Sequence, residues 1–151
     1  AGPDPVGWAP KLHALAKALN IQSRVIWTGM LTGDLKAGAV RSADAFVLPS
    51  ESESFGVAAL EAMSCGVPVV AYGVGGLPEV ITPEVGRLVA PFDIDALAAA
   101  ALEMISDEGR RLSLGTNART RVLGLFRRER AIDRYEEHYR RVLGAARREV
   151  V

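Results

Sequence analysis

The run Ala45-Phe46-Val47-Leu48-Pro49-Ser50-Glu51-Ser52-Glu53-Ser54-Phe55-Gly56 continues through Val57–Cys65 and Gly66 to Val67-Pro68-Val69-Val70-Ala71-Tyr72. It reads as strand, polar loop, helix, strand. Ala45–Pro49 and Val67–Tyr72 are short and apolar without alternation, the pattern of strands buried on both faces. Phe55–Cys65 is a helix between them. A strand–helix–strand unit of this kind builds a parallel sheet. Upstream, Trp8, Leu12, Leu15 and Leu19 recur at helical spacing, with Asn20 as the stop. Arg24–Thr28 is a short β-rich run ending at Gly29, and Leu35–Ser42 a short helix. Downstream, Gly73, Gly75 and Gly76 make a loop, Leu77–Ile81 a helical turn, and Arg87–Val89 a fourth strand. Three helices follow, over 94–106, 108–123 and 128–147. The expected fold is α/β, a Rossmann-like parallel sheet with helices on both faces. Ligands of such sheets sit outside the carboxyl ends of the strands. The loops 29–34, 49–56 and 73–77 leave those ends.

Composition bounds the rest. The chain has 151 residues, 49% hydrophobic and 24% charged, which fits one globular domain and excludes bulk disorder. No apolar run reaches about 18 residues, so no membrane span is expected. There is no basic-then-apolar leader, which points to the cytoplasm. Cys65 is the only cysteine, which excludes an internal disulfide framework and a cysteine-based metal cluster. With 18 basic and 18 acidic residues the chain is not a strongly basic nucleic-acid binder. The balance hides an asymmetry: residues 1–109 carry a net −7 and residues 110–151 a net +7. Arginine outnumbers lysine 15 to 3, a bias that GC-rich codon usage accounts for. Ala1-Gly2-Pro3 reads as the tail of a strand, so the chain is expected to be part of a larger protein, its domain lacking a first strand and helix.

Candidate chemistry concentrates in Pro49–Gly56. A loop with two acids leads into a helix opening at Ser54, and the unpaired N–H groups of a helix N-terminus hold anions such as phosphate. Ordinary capping by Ser54 is the alternative. Gly56 lets a ligand approach the first turn. Glu61 stands in the helix Val57-Ala58-Ala59-Leu60-Glu61-Ala62-Met63-Ser64-Cys65, apolar nearly all round and so expected to be buried. A carboxylate there calls for ligand hydroxyls or a buried arginine. A glycosidase pair of Glu53 and Glu61 is disfavoured. Such carboxylates stand roughly 5–9.5 Å apart, and eight helical residues rise about 12 Å.

Glu53-Ser-Phe-Gly-x4-Glu61-Ala-Met-Ser-Cys-Gly-Val-Pro-Val-Val-Ala resembles the E-x7-E signature of retaining GT-B glycosyltransferases, specifically family 4. Val25-Ile-Trp-Thr-Gly29, Ser42-Ala-Asp-Ala-Phe-Val-Leu-Pro-Ser50, Gly75-Gly-Leu-Pro-Glu79 and Gly86-Arg-Leu-Val-Ala-Pro91 follow in the family's order. The resemblance covers residues 1–125. It implies that residues 1–151 are the nucleotide-sugar-binding domain of a two-domain enzyme, with helix 128–147 at its C-terminal end. It implies that Glu53 is the catalytic-site carboxylate and hydrogen-bonds the donor sugar. The backbone N–H groups of Ser54, Phe55 and Gly56 would hold sugar or diphosphate, and Glu61 the ribose. Met30 and Leu31 would lie near the base, while Gly75 and Gly76 line the pocket. The partner implied is a nucleoside-diphosphate sugar, with no cofactor and no metal. The family's arginine and lysine that clamp the diphosphate have no match here, since Lys11 and Lys17 lie in a helix. With the acceptor-binding domain also absent, the chain is expected to be inactive alone.

Two other readings stay open: a nucleotide-sugar epimerase or phosphorylase of this architecture, and a non-catalytic nucleotide-sugar-binding module. A phosphorylase would need a pocket lysine that none of the three lysines supplies. Asp93-Ile-Asp95 spells the D-x-D metal motif of another glycosyltransferase fold, but it opens a helix, which makes Asp93 an N-cap. His13 and His138 lack metal-ligand spacing. Cys65 fits a packing role. In the last helix Ile132, Tyr135, Tyr139, Val142 and Ala146 form an apolar stripe flanked by arginines, with Glu136–Arg140 and Glu137–Arg141 four residues apart. It reads as a surface helix packed through its stripe, or as contact with the absent domain or an anionic inner membrane surface. A cut sheet edge and opposite charged halves predict self-association.

Overall fold

A computed structural model describes residues 7–146, and side chains through residue 144. Ala1-Gly2-Pro3, residue 147 and the side chain of Ala146 lie outside the described residues. The chain divides into two compact units, the first ending at Ala39 and the second beginning at Val40.

The first unit holds α1 (Ala9–Ala18), a 3-10 turn at Gln22–Arg24, and most of α2 (Gly33–Arg41). Asn20 stops α1 as its sequence position suggests. It takes a left-handed φ of 55°, its N–H donates to the Lys17 carbonyl, and the Ile21 N–H reaches back to Ala16. That pair of bonds satisfies carbonyls that the helix end leaves open. Ala16 is buried, and the His13 ring lies 4.3 Å from that of Trp27. Arg24–Thr28 does not form the expected strand. Its first residue closes the 3-10 turn, Val25 is extended, and no ladder follows among the described residues. A β-rich run becomes a strand only where a neighbour accepts its hydrogen bonds.

The second unit carries the sheet: β1 (Phe46–Leu48), α3 (Val57–Ser64), β2 (Val69–Tyr72), α4 (Leu77–Val80), β3 (Gly86–Val89), α5 (Ile94–Ser106), α6 (Glu108–Leu125) and α7 (Arg128–Ala146). Three strands pair in the order β1-β2-β3, all parallel. Phe46 is opposite Val69, and Val69 opposite Gly86. Among the described residues the sheet therefore has three strands where the sequence suggested four.

All four residues of the central strand β2 are buried, which is why it shows no alternation. Val69 and Ala71 face one core cluster with Ala59, Ala62 and Met63 of α3, Leu77 and Val80 of α4, and Ala118 of α6. Val70 and Tyr72 face another with Leu97, Ala100 and Met104 of α5. Fully buried side chains such as Met63 and Leu77 stabilise this core by about 1.5–3 kcal/mol each. Small residues set the approach of α6 to α3: a Cβ on Gly115 would lie 2.2 Å from the Gly66 carbonyl oxygen. Asp93 caps α5, accepting from the Ala96 N–H at 2.8 Å, and Asp107 caps α6 by the same bond to Arg110. The D-x-D spelling is thus a helix entry. No helix among the described residues is long and apolar enough to cross a membrane.

The stripe of α7 does not pack. Ile132 is 46% exposed and Tyr135 66%, with Tyr139 and Val142 between them. This corrects the expectation of a helix buried through its apolar side. Arg140 pairs with Glu136 at 2.7 Å, and Arg141 meets His138 at 2.9 Å.

Candidate functional site

Parallel strands put the loops after β1 and β2 side by side at one end of the sheet. The first loop enters α3 later than its sequence suggests: the helix starts at Val57, Gly56 is its N-cap, and no side chain caps it. Ser54 is therefore not the cap. Gly56 is buried with φ +87°, and a Cβ there would meet Leu77 Cδ2 at 2.6 Å. Only glycine satisfies both conditions. The Gly56 N–H donates to Glu53 Oε1 at 3.1 Å, which folds the carboxylate back over the helix entry. The N–H groups of Val57, Ala58 and Ala59 follow in the first turn, where a helix offers them no internal acceptor. Glu53 is half-buried, while Ser54 and Phe55 are exposed.

The loop after β2 presses on this entry. A Cβ on Gly75 would lie 1.7 Å from the Glu53 carbonyl oxygen, and one on Gly76 2.5 Å from that of Ser54. The Gly76 N–H donates to the Glu53 carbonyl at 3.2 Å. The close approach these glycines permit is thus with residues 53–55 of the chain itself. The Phe55 ring meets Phe126 at the end of α6, edge to face at 6.0 Å. Sequence reasoning missed Phe126, because nothing local links it to a loop 71 residues earlier.

Glu61 lies on the exposed face of α3, not in a buried one. Ala59, Ala62 and Met63 form the buried side, while Val57, one turn before Glu61, is 60% exposed. The helix is apolar all round because its open side is also made of small and branched residues, so composition overstated its burial. Met30 is exposed and Leu31 half-buried, both in the first unit just before α2. Cys65 is a half-buried thiol packed against the core, as its position suggested.

Arginines of α6 support the frame. Arg121 Nε donates to the Val80 carbonyl at 2.9 Å and Nη2 to that of Glu79 at 2.8 Å. Arg119 donates to the Ser64 carbonyl at 2.5 Å. Both satisfy carbonyls at helix C-termini, α4 and α3 respectively. Arg111 pairs with Asp44 ahead of β1.

The profile of the family "Glycosyl transferases group 1" matches residues 6–121. The chain belongs to this family. Loop 49–56 and helix α3 both fall inside the matched region. N-acetyl-alpha-D-glucosaminyl L-malate synthase of Bacillus anthracis is 39% identical over 130 residues, 85% of this chain and 34% of that protein. The sucrose-phosphate synthase structure from Thermosynechococcus elongatus superposes with a TM-score of 0.84 at 35% identity, covering 96% of this chain and 38% of that one. Anabaena HepE, solved with UDP-glucose, gives 0.72 at 28%, covering 79% and 34%. The α/β sheet thus matches GT-B neighbours, and the chain spans about a third of the length of these relatives.

Proposed function

We propose that the chain is the donor-binding part of a retaining glycosyltransferase of family 4, holding a nucleoside-diphosphate sugar outside the carboxyl ends of β1 and β2. The observation that carries this reading is the entry to α3. A buried left-handed glycine, an uncapped first turn and a folded-back carboxylate stand together where parallel sheets place ligands. Family membership and a structural neighbour solved with UDP-glucose support it.

In this reading the backbone N–H groups of residues 54–56 and the first turn of α3 receive the diphosphate or sugar. The Gly56 N–H exchanges its Glu53 oxygen for a ligand oxygen, and the Glu53 carboxylate turns to the sugar hydroxyls. Glu61, on the solvent side of the same helix, takes the ribose hydroxyls. The chemistry is cleavage of the anomeric carbon–oxygen bond to the diphosphate and formation of a new one, on the same face, to an acceptor hydroxyl whose proton passes to the departing diphosphate, with no protein nucleophile. Positioned N–H donors stabilise the charge that develops on the leaving group. No metal takes part, so chelator leaves donor binding unchanged. Transfer itself needs acceptor-binding residues outside this chain, and the 151 residues alone do not turn over.

The test is amide NMR of the chain titrated with UDP and with UDP-glucose. Saturable shifts concentrated at Ser54–Ala59 and Glu61 are expected. Absence of saturable shifts, or shifts confined to α5–α7, would contradict the reading.

A further inference from the structure

Gly75 and Gly76 touch no side chain that could give way. The atoms a Cβ would strike are the Glu53 carbonyl oxygen at 1.7 Å and carbon at 2.9 Å for Gly75, and the Ser54 carbonyl oxygen at 2.5 Å with Phe55 Cα at 3.3 Å for Gly76. Main chain cannot change rotamer, so a methyl at either position displaces residues 53–55 or the glycine turn. Gly66 is a useful contrast. Its φ of +79° is as left-handed as that of Gly56, yet a Cβ there meets nothing closer than 3.8 Å.

Glu53 is held at both ends. Its carbonyl accepts from the Gly76 N–H at 3.2 Å, and its carboxylate accepts from the Gly56 N–H at 3.1 Å. The first bond exists only because position 76 brings bare backbone to residue 53. The second depends on the loop geometry that the first fixes. Hydrogen bonds weaken steeply with small errors of distance and angle. A shift that clears a methyl therefore moves the carboxylate out of reach of a fixed hydroxyl.

We propose that Gly75 and Gly76 are positioning residues that act through Glu53, setting its carboxylate to receive the sugar of the donor. This rests on the reading of Glu53 as the sugar contact. The absence of two side chains on one loop then selects for the sugar end of the ligand held by another.

Calorimetric titration with UDP and UDP-glucose tests this on the chain and its Gly76→Ala, Gly75→Ala and Gly66→Ala variants. Gly76→Ala adds a clash without a positive φ, so it is the cleaner of the two site variants. It is expected to lower UDP-glucose affinity about tenfold more than UDP affinity, the scale of one charge-assisted hydrogen bond, since the displaced segment also meets the diphosphate that both ligands share. Gly75→Ala follows the same pattern, Gly66→Ala leaves the ratio intact, and Gly76→Ala leaves the ratio unchanged in a Glu53→Ala background. Equal losses for both ligands, or a further change of the ratio in the Glu53→Ala background, overturn the proposal. A ligand-free measurement stands beside it. In the parent chain Glu53→Ala moves the Gly56 amide resonance by removing its acceptor, and in a Gly76→Ala background that response is lost. If the parent binds neither ligand, the donor reading fails by itself. A Gly56 response preserved in Gly76→Ala overturns the positioning role whatever the ligands do.

Discussion

Glu84 lies in the turn between α4 and β3, beside Arg121 of α6. The Thr82 hydroxyl hydrogen-bonds its carboxylate, and Glu84's own backbone N–H and the Arg121 charge add to that. Together they hold the carboxyl below its ordinary range against a small opposing desolvation. A carboxylate with a depressed pKa in the folded state stabilises the fold above its unfolded pKa, and that contribution fades as pH falls through the folded value. Thr82→Val should therefore raise the Glu84 side-chain titration midpoint towards that of a free carboxyl. Side-chain carbon NMR across the acid range checks it, and an unmoved midpoint would show that Thr82 has no part. At this scale the sequence was uneven. Asp93 as an N-cap was legible because capping is a local affair of three residues. Gly56 as the N-cap of α3 was not, because its need for a bare Cα comes from Leu77, 21 residues on. Glu53 stood out as an acid beside a helix entry, but its fold-back onto Gly56 required the loop conformation.

Helix α6 gives two arginines of the C-terminal third a structural role. Arg121 is half-buried and closes two carbonyls of α4, and Arg119 closes one of α3. Arg121→Ala leaves those acceptors short of a donor and should destabilise the chain by about 1–3 kcal/mol. Arg121→Lys should recover only part of that, since an ammonium cannot reproduce the fork that spans both carbonyls. Urea unfolding of both variants decides it, and a lysine variant as stable as the parent would refute the two-carbonyl role. Element types were legible wherever pattern is set by packing on the sheet: β2 with apolar residues on both faces, α5 with its capped start. Two elements were misread for one physical reason. The run 24–28 has strand-forming residues but no ladder, and α3 has apolar residues on a side that nothing in the second unit covers. Composition states what a segment tolerates, and neighbours determine what it becomes.

For the whole molecule, opposite charge and an open sheet edge act together. Residues 1–109 carry net −7 and residues 110–151 net +7. Strand β1 is paired on one side only among the described strands, and its Val47 is 43% exposed. Both features favour contact between copies. Light scattering across a salt series should show association. If charge drives it, high salt dissolves it, because screening shortens to about 3 Å at 1 M. If strand pairing drives it, it persists. A monomer at high concentration in low and high salt alike would show that neither feature brings copies together. The stripe of α7, exposed along its described length, adds apolar surface that the sequence placed correctly on one face but wrongly against a core. The proposed role of the site as a donor cradle rests on two carboxylates doing different work on one helix and its entry loop. Calorimetric titration of Glu53→Ala and Glu61→Ala with UDP and with UDP-glucose separates them. Glu61→Ala should weaken both ligands by about 1.5–3 kcal/mol, the range for a hydrogen bond to a charged group, while Glu53→Ala should weaken UDP-glucose and leave UDP nearly untouched. Equal losses for both ligands on Glu53→Ala would contradict the sugar contact and, with it, the division of labour on which the reading stands.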